Sequence, residues 1–323
     1  MNYGKIEGVE KPLTRLVHGA IMLNGNKKDE GFALLDAIYE AGCRTWDTAH
    51  GYGGGHSERI LGQWMESRGN RDEVVILTKG AHHSADRKRV TPFDISSDIH
   101  DSFARLRTDF LDIYVLHRDD PEVPVGPIVE ILNEYHAAGQ IGTFGGSNWR
   151  PQRLEEANEY ADKHGLRPFS VSSPNFSLAE QADAPWADCI SISGPQAADD
   201  RDWYAKHKMP LFTWSSLAQG FFSGRITRAN WEEVKSEFPE PVARCYAHED
   251  NFKRMDRAEE LAKEKALTVP QIALAYVVQQ PDLDIYALIG TFTGEEYREN
   301  LRALEVKLTV EEMDWLDLRC DTR

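Results

Sequence analysis

Cysteine is scarce in this chain, and basic residues are outnumbered. The four cysteines, Cys43, Cys189, Cys245 and Cys320, are scattered, with no C-x-x-C pair. That spacing excludes a disulfide framework, leaves no expected metal site, and fits reduced thiols in a cytoplasmic protein. No run approaches the ~18 consecutive apolar residues that span a bilayer. The N-terminal MNYGKIEGVEKP lacks the apolar core of a secretory leader, so none is expected. Basic residues number 37 against 53 acidic ones, a net charge of −16. An excess of that sign argues against nucleic acid and anionic membranes as partners and leaves small molecules as the expected ligands. A Gly-rich G-x-G-x-x-G turn is also missing. The first strand candidate leads into NGNKKDEG, Asn24 to Gly31, which lacks that spacing.

What is present is alternation. Short apolar segments at Arg15–Met22, Cys43–Asp47, Val74–Thr78, Leu111–Leu116, Ile141–Gly145, Phe169–Ser172, Pro210–Trp214 and Tyr286–Ile289 read as strands. Longer amphipathic stretches separate them and read as helices. Thr91-Pro92 and Thr268–Pro270 place proline at helix starts, where its missing N–H costs little. Thr309 followed by Glu312 reads as a capping box opening a terminal helix. Strands rich in Val, Ile and Leu suit burial on both faces. Unbroken β-α alternation over 323 residues predicts an α/β fold: one parallel (β/α)8 TIM barrel with an extra C-terminal helix. The stretch 215–248 has no clean period and is expected as a long loop over the active mouth.

Four polar residues sit at predicted strand ends or just beyond: Asp47, Tyr52, Lys79 and His117. In a parallel barrel such residues converge on the C-terminal mouth. Singly, each has a structural reading: a turn aromatic, a solvated lysine, a capping carboxylate, a rim histidine. Together, a carboxylate, a phenol, an ammonium and an imidazole are the parts of a proton-transfer site.

Their order and spacing resemble the aldo-keto reductase family from about Arg15 to Leu304. The motif D-T-A-x-x-Y-G reads Asp47-Thr48-Ala49-His50-Gly51-Tyr52-Gly53, the T-K strand end reads Thr78-Lys79, and DSFARLRTDFLDIYVLH ends at His117. The G-x-S-N element reads Gly145-Gly146-Ser147-Asn148. The resemblance implies hydride transfer between NAD(H) or NADP(H) and an aldehyde, ketone or alcohol. It makes Tyr52 the proton donor, Lys79 and Asp47 the pair that lowers the phenol's pKa, and His117 the group that orients the substrate oxygen. By the same resemblance Ser147, Asn148, Ser173 and Trp214 belong to the nicotinamide end. Ser215, Leu217 and Gly220 belong to the pyrophosphate, and Thr291, Thr293, Glu296, Glu299 and Asn300 to the adenosine end.

The chain departs from the family pattern in three places. Ser173 stands where a glutamine is common, and Ser216 where a proline is. Gly290 and Glu296 stand where NADPH-using members place a lysine and an arginine. A carboxylate repels a 2′-phosphate and accepts a hydrogen bond from a 2′-hydroxyl, so NAD(H) is favoured. Arg298, two residues on, is the nearest alternative cation. Met22, His50, His82, Arg118 and Trp149 are candidate pocket residues; their mix of aromatic and polar groups leans toward a polar, sugar-like or polyol-derived carbonyl. Arg118 and Asp119 are equally readable as a rim salt bridge. Two other classes stay open: a cofactor-binding regulatory module with little turnover, and an isomerase or lyase using Lys79 as a Schiff-base amine.

Overall fold

Period-two alternation decides which side chains enter a barrel and which face its helices. The computed structural model describes residues 3–23 and 27–323; Asn24, Gly25 and Asn26, the start of the NGNKKDEG segment, lie outside them. Among the described residues there are ten strands: β1 (Tyr3–Ile6), β2 (Val9–Thr14), β3 (Leu16–Gly19), β4 (Thr45–Asp47), β5 (Val75–Gly80), β6 (Leu111–Leu116), β7 (Ile141–Ser147), β8 (Val171–Ser173), β9 (Leu211–Thr213) and β10 (Ile285–Ile289). β3 to β10 run parallel and close into a barrel, β10 pairing β3 through Ala287 and Leu16. Every strand expected from the sequence is there, within a few residues of its expected ends.

On β5, Val75 and Leu77 point into the barrel while Ile76 joins the outer core with Trp46 and Tyr114. On β6, Ile113 and Val115 point inward. The same parity carries Lys79 and His117 to the inner side at the mouth.

The sequence reading missed the antiparallel hairpin β1–β2. It covers the N-terminal end of the barrel. Ile6, Val9 and Leu13 complete the inner core with Val17 and Tyr286, and the Thr14 N–H donates to Thr45 Oγ1 at the start of β4 (2.9 Å). The approach is tight: a Cβ on Gly8 would meet the Gly142 carbonyl at 2.4 Å. The hairpin's short, charged strands, with Glu10, Lys11 and Pro12, gave no strand signal of their own.

Helices cover the barrel and begin where expected. Thr91 caps Pro92–Leu106 by accepting from the Asp94 N–H at 3.3 Å. Thr309 and Glu312 form the reciprocal box at 3.1 and 2.9 Å. Residues 215–248 are not one irregular loop. They form short helices at Trp231–Val234 and Glu240–Tyr246 and bury Phe221, Phe222, Trp231 and Tyr246. Residues 174–194 also reach the mouth: Ile190 N–H donates to Asn148 Oδ1 at 3.2 Å, and Trp186 lies against Trp214 at 6.1 Å between ring centroids. Among the described residues no helix is long and apolar enough to cross a membrane.

His18 on β3 is fully buried between Trp46 and Tyr297, and its Nε2 lies 3.3 Å from both the N and the O of Thr291. Burial lowers its pKa to about 4. The folded state therefore holds it neutral, while the unfolded chain protonates it below about 6.5. Its contribution is complete above that value and is lost as pH falls toward 4. Between pH 7 and pH 4 this single group is expected to remove about 3 kcal/mol of stability. Urea unfolding of wild type and His18→Gln across that range checks it: the variant's loss is smaller by that amount.

Candidate functional site

The tetrad assembles because β4, β5 and β6 are neighbours with fixed register. Asp47 pairs with Leu77, Lys79 with Val115, and the His117 N–H bonds the Gly80 carbonyl at 2.7 Å. The β4–β5 ladder continues past the strand: Thr48 and His50 N–H groups donate to Leu77 and Lys79 carbonyls, both at 2.8 Å. That extension carries the Tyr52 turn over the mouth. Lys79 is 2% exposed and Asp47 3%. Lys79 Nζ donates to an Asp47 carboxylate oxygen, to the Thr48 carbonyl at 2.9 Å and to the Tyr52 hydroxyl at 3.5 Å. His117 stands edge-on to Tyr52, ring centroids 5.7 Å apart.

Burial dominates the electrostatics. It pushes Asp47 above the usual carboxylate value, against the pull of Lys79. It works against the Lys79 charge too, but Asp47 and Tyr52 outweigh it, and the ammonium is held above its ordinary value. An amine held so firmly charged is a poor Schiff-base nucleophile. The Tyr52 ring is partly exposed while its hydroxyl end lies deep. Burial raises the phenol's pKa, and Lys79 offsets only part of the rise. The expected lowering of Tyr52 is thus reversed in sign; the phenol is a stored proton at neutral pH. Burial, aided by Lys79 and Arg118, drops His117 well below its ordinary value, so its ring is neutral.

A second buried network braces the Tyr52 turn from outside the barrel. Glu58, fully buried, accepts from Thr78 and Ser102 hydroxyls, both at 2.7 Å, and from Arg105 at 3.3 Å. Arg105 also donates to the His50 carbonyl at 2.9 Å. Gly55, at φ +85°, leaves room for that guanidinium: a Cβ there would lie 2.6 Å from Arg105 Cζ. The sequence reading did not single out Glu58 or Arg105. The apolar period around them gave no sign that both face inward.

The candidate pocket residues divide. His82 sits at the mouth, its ring 4.7 Å from that of His117. Arg118 is there too, 6% exposed. Met22 lies over Gly290, where a Cβ would come 2.7 Å from its sulfur. His50 turns to the acidic face of helix Pro92–Leu106, bonding Asp101 at 3.0 Å. Trp149 is a correction: it is fully buried, packs on Phe169 and donates to the Arg118 carbonyl at 3.2 Å. It supports the mouth from behind. The Arg118–Asp119 bridge is absent, because Asp119 pairs with Arg153 at 3.3 Å.

A family model for the aldo/keto reductase family matches residues 15–318. The chain belongs to the aldo/keto reductase family. It is 30% identical over 300 residues to a norsolorinic acid reductase of Emericella nidulans, covering 88% of this chain and 70% of that one. It is 26% identical to an aryl-alcohol dehydrogenase [NADP(+)] of Phanerodontia chrysosporium, over 90% of this chain and 76% of the relative. Among solved structures, a glycerol dehydrogenase of Gluconobacter oxydans superimposes with a TM-score of 0.77 at 22% identity, covering 97% of this chain and 93% of that one; this likeness concerns the fold.

Members of this family use a nicotinamide cofactor, and the residues present fit one. Leu217 and, distant from it in sequence, Thr293, Glu296, Glu299 and Asn300 line one cavity of about 770 Å³. Asn148 and Ser215 both hold left-handed backbone, φ +61° and +54°. Such conformations in non-glycine residues cost about 1–3 kcal/mol and gather at ligand sites. Trp214 borders the inner core with its indole N–H buried and unpartnered, and the buried Thr291 hydroxyl also lacks a partner. Ser147 Oγ donates to the Ser173 carbonyl at 2.8 Å, and the Asn148 amide holds the His117 carbonyl at 3.3 Å. Ser173 fits less well: its hydroxyl turns into the barrel wall and donates to the Phe212 carbonyl at 2.7 Å. Gly220, at φ +100°, faces Phe238.

Gly55→Ala in this reductase is expected to displace Arg105 and strain the turn. It should cost about 1–3 kcal/mol of stability and lower turnover more than cofactor affinity. Denaturant unfolding and dinucleotide titration check both halves.

Proposed function

We propose that this aldo/keto reductase interconverts a polar aldehyde or ketone, sugar-like or polyol-derived, with its alcohol, using NAD(H) in preference to NADP(H). The observation that carries the reaction is the Tyr52 hydroxyl, 3.5 Å from an ammonium that is itself paired with Asp47. When bound, the nicotinamide supplies or accepts the hydride. Tyr52 gives its proton to the carbonyl oxygen as negative charge develops there. The Lys79–Asp47 pair steadies the phenolate left behind. His117, neutral, can donate a hydrogen bond to the same oxygen without competing for its proton. An intact tetrad with its proton in place favours turnover over a purely regulatory role.

The cofactor preference rests on charge. The adenosine-side cavity is lined by Glu259, Glu295, Glu296 and Glu299 against Lys263. Glu296 is fixed there, accepting the Phe292 N–H at 2.8 Å at the start of helix Gly294–Leu301. Met22 occupies the space over Gly290. A 2′-phosphate meets repulsion in this setting, and a 2′-hydroxyl meets an acceptor.

Tyr52→Phe is expected to lower carbonyl reduction about a hundredfold or more, with dinucleotide affinity changed by less than about twofold in fluorescence titration; undiminished reduction removes Tyr52 as donor. Because burial raises the phenol's pKa, wild-type reduction should stay flat from neutral pH to about 10, while alcohol oxidation climbs with pH. Cofactor titrations should give a higher kcat/KM with NADH than NADPH; the reverse order would overturn the assignment to NAD(H).

A further inference from the structure

The mouth holds one charge that the hydride-transfer chemistry leaves unassigned. Among the described residues three arginines are buried: Arg118, Arg153 and Arg254. Arg153 pairs with Asp119 and Glu156, and Arg254 with Glu180 and Asp317. Arg118 has no carboxylate within ion-pair distance among the described residues. One of its N–H groups donates to the His117 carbonyl at 2.9 Å. The other cations nearby are matched: Lys79 by Asp47, Lys88 by Asp120, Arg89 by Asp94 and Asp98.

Its hydrogen bond to the His117 carbonyl holds the Arg118 guanidinium beside the tetrad. Its field acts on Tyr52, His82, His83, His117 and Cys189. None of these supplies a counter-charge. Burial keeps the three histidines below their ordinary values and pushes Tyr52 and the Cys189 thiol above theirs, so all five are neutral at neutral pH. A buried cation without a partner is costly unless a ligand completes it. The planar fork of a guanidinium matches a carboxylate, two N–H groups to two oxygens.

We propose that Arg118 is the subsite for a carboxylate carried by the carbonyl substrate, so that this reductase acts on oxo acids and returns hydroxy acids. The proposal rests on the carbonyl-reduction reading and narrows its polar substrate to an anionic one. Asp188 pairs with His83 at 3.4 Å and makes no ion pair with Arg118; the one unpaired positive charge therefore matches a monoanion, and neutral hydroxyls would leave it uncompensated. The redox step is unchanged. Hydride from the reduced nicotinamide goes to the carbonyl carbon, the Tyr52 proton goes to its oxygen, the nicotinamide is oxidised, and the carboxylate passes through intact.

The test compares matched pairs with both cofactors: 4-carboxybenzaldehyde against benzaldehyde, glyoxylate against methylglyoxal, and glyceraldehyde 3-phosphate against glyceraldehyde. In wild type the carboxylated member should have the higher kcat/KM. In Arg118→Gln the charged-to-neutral ratio should fall about thirtyfold or more, and Arg118→Lys should restore part of it. An unchanged ratio in Arg118→Gln, or wild-type preference for the neutral members, overturns the proposal. Dependence confined to the phosphate pair overturns the carboxylate assignment. If wild type reduces no carbonyl, the reductase reading fails by itself, and calorimetry still decides Arg118. Wild type should bind 4-(hydroxymethyl)benzoate at least about tenfold more tightly than Arg118→Gln does; equal binding contradicts the subsite.

Discussion

Two opposite charges, on Asp47 and Lys79, meet where water hardly reaches, and the rest of the site is arranged around them. Removing such groups from water costs several kcal/mol per ion, so the pair persists only with good geometry and further hydrogen bonds. The barrel provides both. Adjacent strands β4 and β5 fix the two side chains in register, and the Thr48 carbonyl takes another Lys79 N–H. Loss of either partner would strand the other charge in a dry site. The outer brace of Glu58 and Arg105 serves the same end, holding the turn that delivers Tyr52 to the third donor direction of Lys79.

The consequence is a phenol with its proton retained. The family resemblance had Lys79 lowering the Tyr52 pKa. Burial outweighs that influence and raises it. In the proposed reaction Lys79 acts less as a device for ionising tyrosine at rest than as a charge waiting for the phenolate. His117 is neutral for a related reason: two nearby cations and a dry surround both disfavour its protonation.

Much of this was legible in the sequence because it depends on short-range pattern. Strand ends carry Asp47, Lys79 and His117, and alternation with inward Leu77 and Val115 aims Lys79 and His117 into the mouth. What was illegible depends on pairing choices between distant residues. Asp119 looks like a partner for Arg118 and goes to Arg153. Trp149 looks like a pocket aromatic, yet packs behind the mouth on Phe169. Ser173 has the right position for a cofactor contact and the wrong hydrogen bond. The β1–β2 hairpin has charged, short strands whose only apolar faces fit the barrel's lower end. Residues 174–194 have no periodicity, and it takes contacts such as Trp186–Trp214 and Ile190–Asn148 to bring them to the site.

The protonation state of one phenol decides between a stored proton and a resting phenolate. A near-ultraviolet difference titration of wild type against Tyr52→Phe, in the absence of substrate, reads it directly. A Tyr52 midpoint above the ordinary tyrosine value of about 10 is expected; a midpoint near neutrality would contradict the burial-dominated site.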